Sequence, residues 1–102
     1  MAQLDVFQVI ADPSRRQILH LLSIDQLPIN IIANNFEMSR PAVSKHLKIL
    51  ADSGFISISV KGREHYCTLN EDGFVQLKNW MDYYDNFWKT KLQHLEALMD
   101  QG

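Results

Sequence analysis

The 102-residue sequence predicts a mostly α-helical fold with one small β-hairpin and a long C-terminal helix. Three observations carry that expectation. Apolar residues recur at three- and four-residue steps through the first half of the chain. From Phe55 to Leu69 the pattern changes to two-residue alternation, entered through Gly54. From Asn70 onward the helical period returns and persists, through Leu77, Trp80, Met81, Tyr84, Phe87, Trp88, Leu92, Leu95, Leu98 and Met99. A hydrophobic content of 46% is enough for one core, and no repeat, low-complexity segment or Gly/Ser linker divides the chain, so residues 1–102 read as a single domain.

The elements follow in order. "LDVFQVIA" carries Leu4, Val6, Phe7, Val9 and Ile10 and reads as a first short helix. Asp12-Pro13 then starts a second, with Asp as N-cap and Pro at the first helical position. In "PSRRQILHLLS", Ile18, Leu19, Leu21 and Leu22 are expected inward, with Arg15, Arg16 and His20 on the polar side. "IDQLP" reads as a loop. "INIIANNF" is a third short helix, with Ile29, Ile32, Ala33 and Phe36 at i, i+3, i+4, i+7 spacing. After "EMS", Ser39 caps a helix that begins at Arg40-Pro41. Two helices joined by so tight a turn form a helix-turn-helix pattern.

Gly54 at the C′ position ends that helix. Phe55, Ser57 and Ser59 then alternate with Ile56, Ile58 and Val60, as in a half-buried strand. "KGRE" turns the chain and "HYCTL" returns it, so the hairpin tip carries Lys61 and Arg63.

The fourth helix has two chemically distinct sides. Val43, Leu47 and Leu50 fall on one, while Pro41, Ser44, Lys45 and Lys48 fall opposite, with Arg40 at the boundary and His46 beside the apolar edge. For three cations alone, Arg40, Lys45 and Lys48, a solvated helix face is the favoured reading. The preceding short helix and the basic hairpin move the reading to double-stranded DNA, with Arg40 and Ser44 placed to reach base edges and Lys45 and Lys48 to hold phosphates. The net charge of -2 conceals a segregation: Ser39–Arg63 carries five cations against Asp52, and the chain from Glu71 carries six acids against three lysines.

"DPSRRQILHLL", "SRPAVSKHLKIL", "GFI" and "KGREHYCTL", in this order, resemble the ArsR family of bacterial winged-helix repressors, over residues 3–70. The resemblance implies a winged helix-turn-helix fold in which 3–70 is the DNA-binding core and 71–102 the C-terminal dimerisation helix. It implies a homodimer, formed by the first and last helices, that binds an operator palindrome in the cytoplasm and represses transcription. Ser39, Arg40, Pro41, Ser44, Lys45, His46 and Lys48 would then belong to the recognition helix, and Lys61, Gly62 and Arg63 to the wing tip. The apolar stripe of the last helix and the amphipathic first helix also suggest a second copy as partner, through Leu4, Phe7, Trp80, Tyr84, Phe87, Trp88, Leu92, Leu95 and Leu98.

Many members of that family release DNA on binding a metal, yet neither familiar ligand set is legible here. The helix before the recognition helix has no cysteine, and the last helix offers Asp82, Asp85 and His94 with no second histidine. Those aspartates read as a solvated face, and no metal or cofactor is expected. His20, His46 and His65 are scattered. Cys67, the single cysteine, excludes an intrachain disulfide and suits a reducing compartment. Lys91 stands oddly within the apolar stripe, placed to snorkel or to pair with an acid of the other subunit. No nucleophile–base pair or Gly-rich phosphate loop points to an enzyme. No apolar run approaches the roughly 18 residues of a membrane span. The alternatives are a metal- or ligand-gated repressor and a winged-helix module that binds protein.

Overall fold

Two aspartates and two arginines build the N-terminal pair of helices. The computed structural model describes residues 4–100, so the ends of the expected segments, 1–3 and 101–102, lie outside the described residues. Helix α1 spans Val6–Ala11 and is closed at its start by a capping box: the Gln8 amide donates to Asp5 Oδ1 at 2.7 Å, and the Asp5 amide donates to Gln8 Oε1 at 2.9 Å. Asp12 ends α1 and begins α2, Pro13–Ile24, where its Oδ1 accepts from the amides of Ser14 and Arg15.

Six residues make too short a helix to persist alone, and the last four carbonyls of α1 need donors. Arg15 and Arg16 supply them. Arg15 Nε donates to Val9 O at 2.7 Å and Nη2 to Gln8 O at 3.2 Å, while Arg16 Nη1 donates to Ile10 O and Ala11 O at 2.7 and 2.9 Å.

The expected loop after α2 contains a two-residue strand, β1 at Leu27–Pro28, followed by α3 at Ile29–Asn34 and α4 at Arg40–Asp52. Ser39 caps α4 by accepting from the Ala42 amide. At the other end Gly54, with φ of +82°, makes the reversal anticipated for it. Its amide bonds to Ala51 O and the Phe55 amide to Leu50 O, the paired closure of a Schellman motif.

Strands β2, Ile56–Lys61, and β3, Glu64–Leu69, form the hairpin, and β1 adds to the far edge of β3, giving the order β1-β3-β2. The sheet therefore has three strands where the sequence pattern showed two. Pro28 is tolerated because β1 is an edge strand. Burial of β2 also differs from expectation. Ile56 is buried, but Ile58 and Val60 are 39% and 65% exposed, and on the paired strand burial reaches no farther toward the tip than Cys67. That core gathers Val9, Ile18, Leu22, Ile32, Val43, Leu47, Leu50, Phe55, Ile56 and Cys67.

Helix α5 runs from Glu71 to Asp100, 30 residues. It is anchored at its first turn, where the Gly73 amide donates to Gly54 O at 2.9 Å and the α-carbon of Gly73 lies so close to Phe55 that an added Cβ would sit 2.8 Å from the ring. Beyond Leu77 every described side chain of α5 is exposed, and the molecule is drawn out to 67 × 32 × 25 Å.

Candidate nucleic-acid interface

The apolar stripe of α4 fixes which side faces out. Val43, Leu47 and Leu50 are fully buried, which turns Arg40, Pro41, Ser44, Lys45 and Lys48 to solvent, with Ser39 exposed at the cap. Lys48 forms an exposed pair with Asp52 at 3.7 Å, a contact of little energetic weight that leaves its ammonium available.

His46, named with the recognition helix and expected beside its apolar edge, is half-buried there, with Nδ1 3.2 Å from Arg15 Nη1. Arg15 in turn is 8% exposed, not on the polar side of α2 as its charge suggested. The signal was available: Arg15, Ile18, Leu19 and Leu22 share the i, i+3, i+4, i+7 spacing, so Arg15 occupies the first position of the apolar stripe. Its charge is tolerated because the α1 carbonyls and Asp12, 3.9 Å away, surround it. Burial resists ionisation of the Asp12 carboxyl. The Arg15 and Ser14 amides, together with the charges of His46 and Arg15, outweigh that and hold it below the usual carboxylate range. One arginine thus joins α1, α2 and α4.

The wing turns between Lys61 and Glu64, which are paired across the hairpin. Gly62 takes a φ of +64° and Arg63 follows with negative φ, the sign pattern of a II′ turn. Gly62 and Arg63 are exposed at the tip, whereas Lys61 lies back over the sheet, 5.3 Å from the Tyr66 ring and donating to Gln26 Oε1 at 3.0 Å. Arg63 and Arg40 line one small cleft of about 60 Å³, shared with Asn30 and His65. The wing tip and the start of α4 therefore converge, and Asn30 and His65, not singled out from sequence, join them.

The residues expected at a dimer interface are all on the surface. Leu4, Phe7, Trp80, Tyr84, Phe87, Trp88, Leu92, Leu95 and Leu98 are each between 40% and 59% exposed. Phe7 on α1 meets Trp80 on α5 edge to face at 5.1 Å, and Trp80 leans on Tyr84 at 4.9 Å, so the two elements offer one continuous aromatic surface. Lys91 has a place within it, with Nζ 5.4 Å over the Phe87 ring.

Among the described residues no group of three or more His, Cys, Asp or Glu side chains comes together. Asp82 accepts from Lys78 at 2.7 Å and Asp85 pairs with Lys89 at 3.0 Å. Cys67 lies at the centre of the sheet, opposite both Leu27 and Ile58, and burial pushes its thiol up to about 11. Among the described residues no helix is long and apolar enough to cross a membrane.

Comparison with known proteins follows the same lines. A family model described as "Bacterial regulatory protein, arsR family" matches residues 12–57. The transcriptional repressor SdpR of Bacillus subtilis is 40% identical over 77 residues, which cover 76% of this chain and 86% of that protein. An arsenical resistance operon repressor of Staphylococcus xylosus is 34% identical over 67 residues, 66% of this chain and 64% of that one. A crystal structure of an ArsR family transcriptional regulator superposes with a TM-score of 0.76 at 32% identity, covering 82% of this chain and 92% of that one. The solution structure of a homodimeric winged helix-turn-helix DNA-binding domain from Mycobacterium bovis superposes at 0.63, with 25% identity over 78% of this chain and 75% of that one.

Proposed function

The chain belongs to the ArsR family of bacterial regulatory proteins, which are transcriptional regulators and not enzymes, and we propose that it acts as a dimeric repressor that binds an operator palindrome. The observation that carries this reading is the exposed side of α4, where Arg40, Pro41, Ser44, Lys45 and Lys48 stand clear of the core beside the convergent wing. A helix so presented fits the major groove, and two copies related by a two-fold axis meet half-sites about one helical turn apart. Arg40 and Ser44 read base edges. Lys45 and Lys48 hold phosphates, and Gly62 and Arg63 approach the neighbouring backbone or minor groove.

The dimer forms through α1 and α5, consistent with the exposed surface from Leu4 to Leu98 and with the homodimeric relative. Residues 3–70 are the DNA-binding core and 71–102 the dimerisation helix. The repressor responds to no metal and acts at its own promoter. Supporting metal independence, Cys67 is buried with its thiol held neutral, and Asp82 and Asp85 are paired with lysines. A specific observation favours the rival reading, in which an inducing ion releases the DNA: the arsenical resistance repressor among the relatives.

Binding to the DNA upstream of the protein's own gene, at two salt concentrations and with zinc, arsenite or chelator, separates these. Tight binding that weakens with salt, by a log-log slope of about -0.9 per phosphate neutralised, and is indifferent to the additives is expected. Release by an ion would establish the gated reading, and absence of sequence-specific binding would favour a protein partner. Arg40→Ala and Ser44→Ala should lose discrimination between operator and random duplex, by about 1–3 kcal/mol for a lost base contact. Lys48→Ala should weaken both duplexes alike. Equal losses for all three variants on both duplexes would contradict this division.

A further inference from the structure

An open groove of about 720 Å³ lies between the N-terminal segment and the flank of α4. Its α4 wall is a third stripe of that helix: Ala42, Lys45, His46, Ile49, Asp52 and Ser53 recur at i, i+3, i+4, i+7, i+10 and i+11. Ala42, His46, Ile49 and Ser53 are half-buried, while Lys45 and Asp52 are exposed. The stripe is separate from the core residues Val43, Leu47 and Leu50 and from Arg40 and Ser44 on the outer side. Lys45 and Lys48 stand on the border, turned to solvent with the outer set and lining the groove as well. Across from α4 the apolar wall is Leu4 and Val9.

Arg15 lies in the floor, buried and already bonded to α1, and is no free donor. The donors that remain are Lys45, which has no ion pair among the described residues, and His46. Because Arg15 Nη1 donates to His46 Nδ1 at 3.2 Å, the proton of the neutral ring is on Nε2. Asp52 is the acid of the lining and is engaged by Lys48 at 3.7 Å. The groove therefore joins an apolar wall to an uncompensated cation. Its volume falls among ligand pockets of about 300–1,000 Å³. From Ala42 to Ser53 it follows α4 for about 16 Å at 1.5 Å per residue, which suits an elongated chain better than a compact ring.

We propose that the groove binds an aliphatic monocarboxylate, a fatty-acid-like anion, and that its occupation weakens operator binding. The carboxylate accepts from Lys45 Nζ and His46 Nε2, and the chain lies along Ile49, Val9 and Leu4. The site stands on the groove alone; its effect on the operator rests on the DNA-binding reading above. Lys45 then serves two anions. A carboxylate in the groove and a phosphate of the duplex compete for it, and by linkage each ligand weakens the other by the same factor.

Calorimetric titration of the full-length chain with octanoate, octan-1-ol and acetate tests the site. Octanoate should bind once per chain and at least tenfold tighter than either control, since each methylene buried adds up to about fourfold and the charge adds the rest. Lys45→Gln should weaken octanoate by about fivefold, and Asp52→Asn, which removes the acid, should tighten it by about twofold to fivefold. Ile49→Trp should abolish binding by filling the groove, with folding checked by circular dichroism; if it does not fold, the two polar variants decide. Octanol binding as well as octanoate, octanoate unmoved by both polar variants, or octanoate retained by folded Ile49→Trp each overturns the inference. In operator binding followed by anisotropy, saturating octanoate should cost at least about threefold and equal acetate nothing. Octanoate bound without that loss overturns the coupling. A chain that binds the operator but no octanoate overturns this inference alone, whereas one that binds octanoate in the expected pattern but no operator keeps the site and overturns the DNA-binding reading.

Discussion

Replacing Arg15 with methionine keeps the length of the side chain and removes its donors. Two carbonyls of α1 lose their partners: Val9 O, bonded to Nε at 2.7 Å beside a side chain with no exposed surface, and Gln8 O, bonded to Nη2 at 3.2 Å. Hydrogen bonds from a charged donor contribute about 1.5–3 kcal/mol each, and leaving a buried acceptor unpaired costs about 1–3 kcal/mol. Losing two such bonds, with part of the cost offset by burying an uncharged chain, gives an expected destabilisation of about 3 kcal/mol. Arg16 provides the control. It caps Ile10 O and Ala11 O with similar distances but stands in solvent, where water replaces it, so Arg16→Met should cost less than about 1 kcal/mol. Urea unfolding at one fixed protein concentration measures both, since the proposed dimerisation would link apparent stability to concentration. Arg15→Lys should fall between, because a single ammonium cannot reproduce the fork that meets Val9, Gln8 and His46. If Arg15→Met unfolds within 0.5 kcal/mol of the parent (roughly the error of such measurements), or matches Arg16→Met, the joining of α1, α2 and α4 through this arginine is wrong.

Three further outcomes are expected. Gly73→Ala should destabilise by about 1–2 kcal/mol, because overpacking against the fully buried Phe55 ring exceeds the gain of about 1 kcal/mol in helix propensity; a higher urea midpoint would refute it. Asp12→Ala should cost about 1 kcal/mol at neutral pH as a lost N-cap. Because the folded carboxyl titrates below its unfolded counterpart, that contribution is present above the unfolded value and disappears as the pH falls through the folded one, so parent and variant should converge in acid unfolding midpoints below about pH 4. Cys67 should resist alkylation at pH 8 in the folded protein and react on adding urea, and rapid labelling of the native chain would contradict its buried, neutral state.

Local chemistry made most of the fold legible. Asp12-Pro13, Ser39 and Gly54 mark helix ends through contacts with residues two to five positions away, and each does so in the structure. The outward set on α4 was legible for the same reason, since the burial of Val43, Leu47 and Leu50 leaves the other positions no alternative. The contact of His46 with Arg15 was not legible, because the two are 31 residues apart and on different helices. Nor were Asn30 and His65, which approach Arg40 only once the wing folds back toward α3.

The sequence by itself determined where helices begin and end, which stripe of each is apolar, and that the last helix carries more aromatic surface than one small core uses. These depend on residues one to two turns apart, which are neighbours before any tertiary contact forms. Tertiary structure alone decided that Leu27 pairs with Cys67 to make a third strand, that Ile58 and Val60 stay in solvent, and that the charge of Arg15 is buried. Those outcomes turn on which distant backbone groups lack partners once the helices pack: the free edge of β3 accepts a strand, and the open end of α1 draws in a guanidinium.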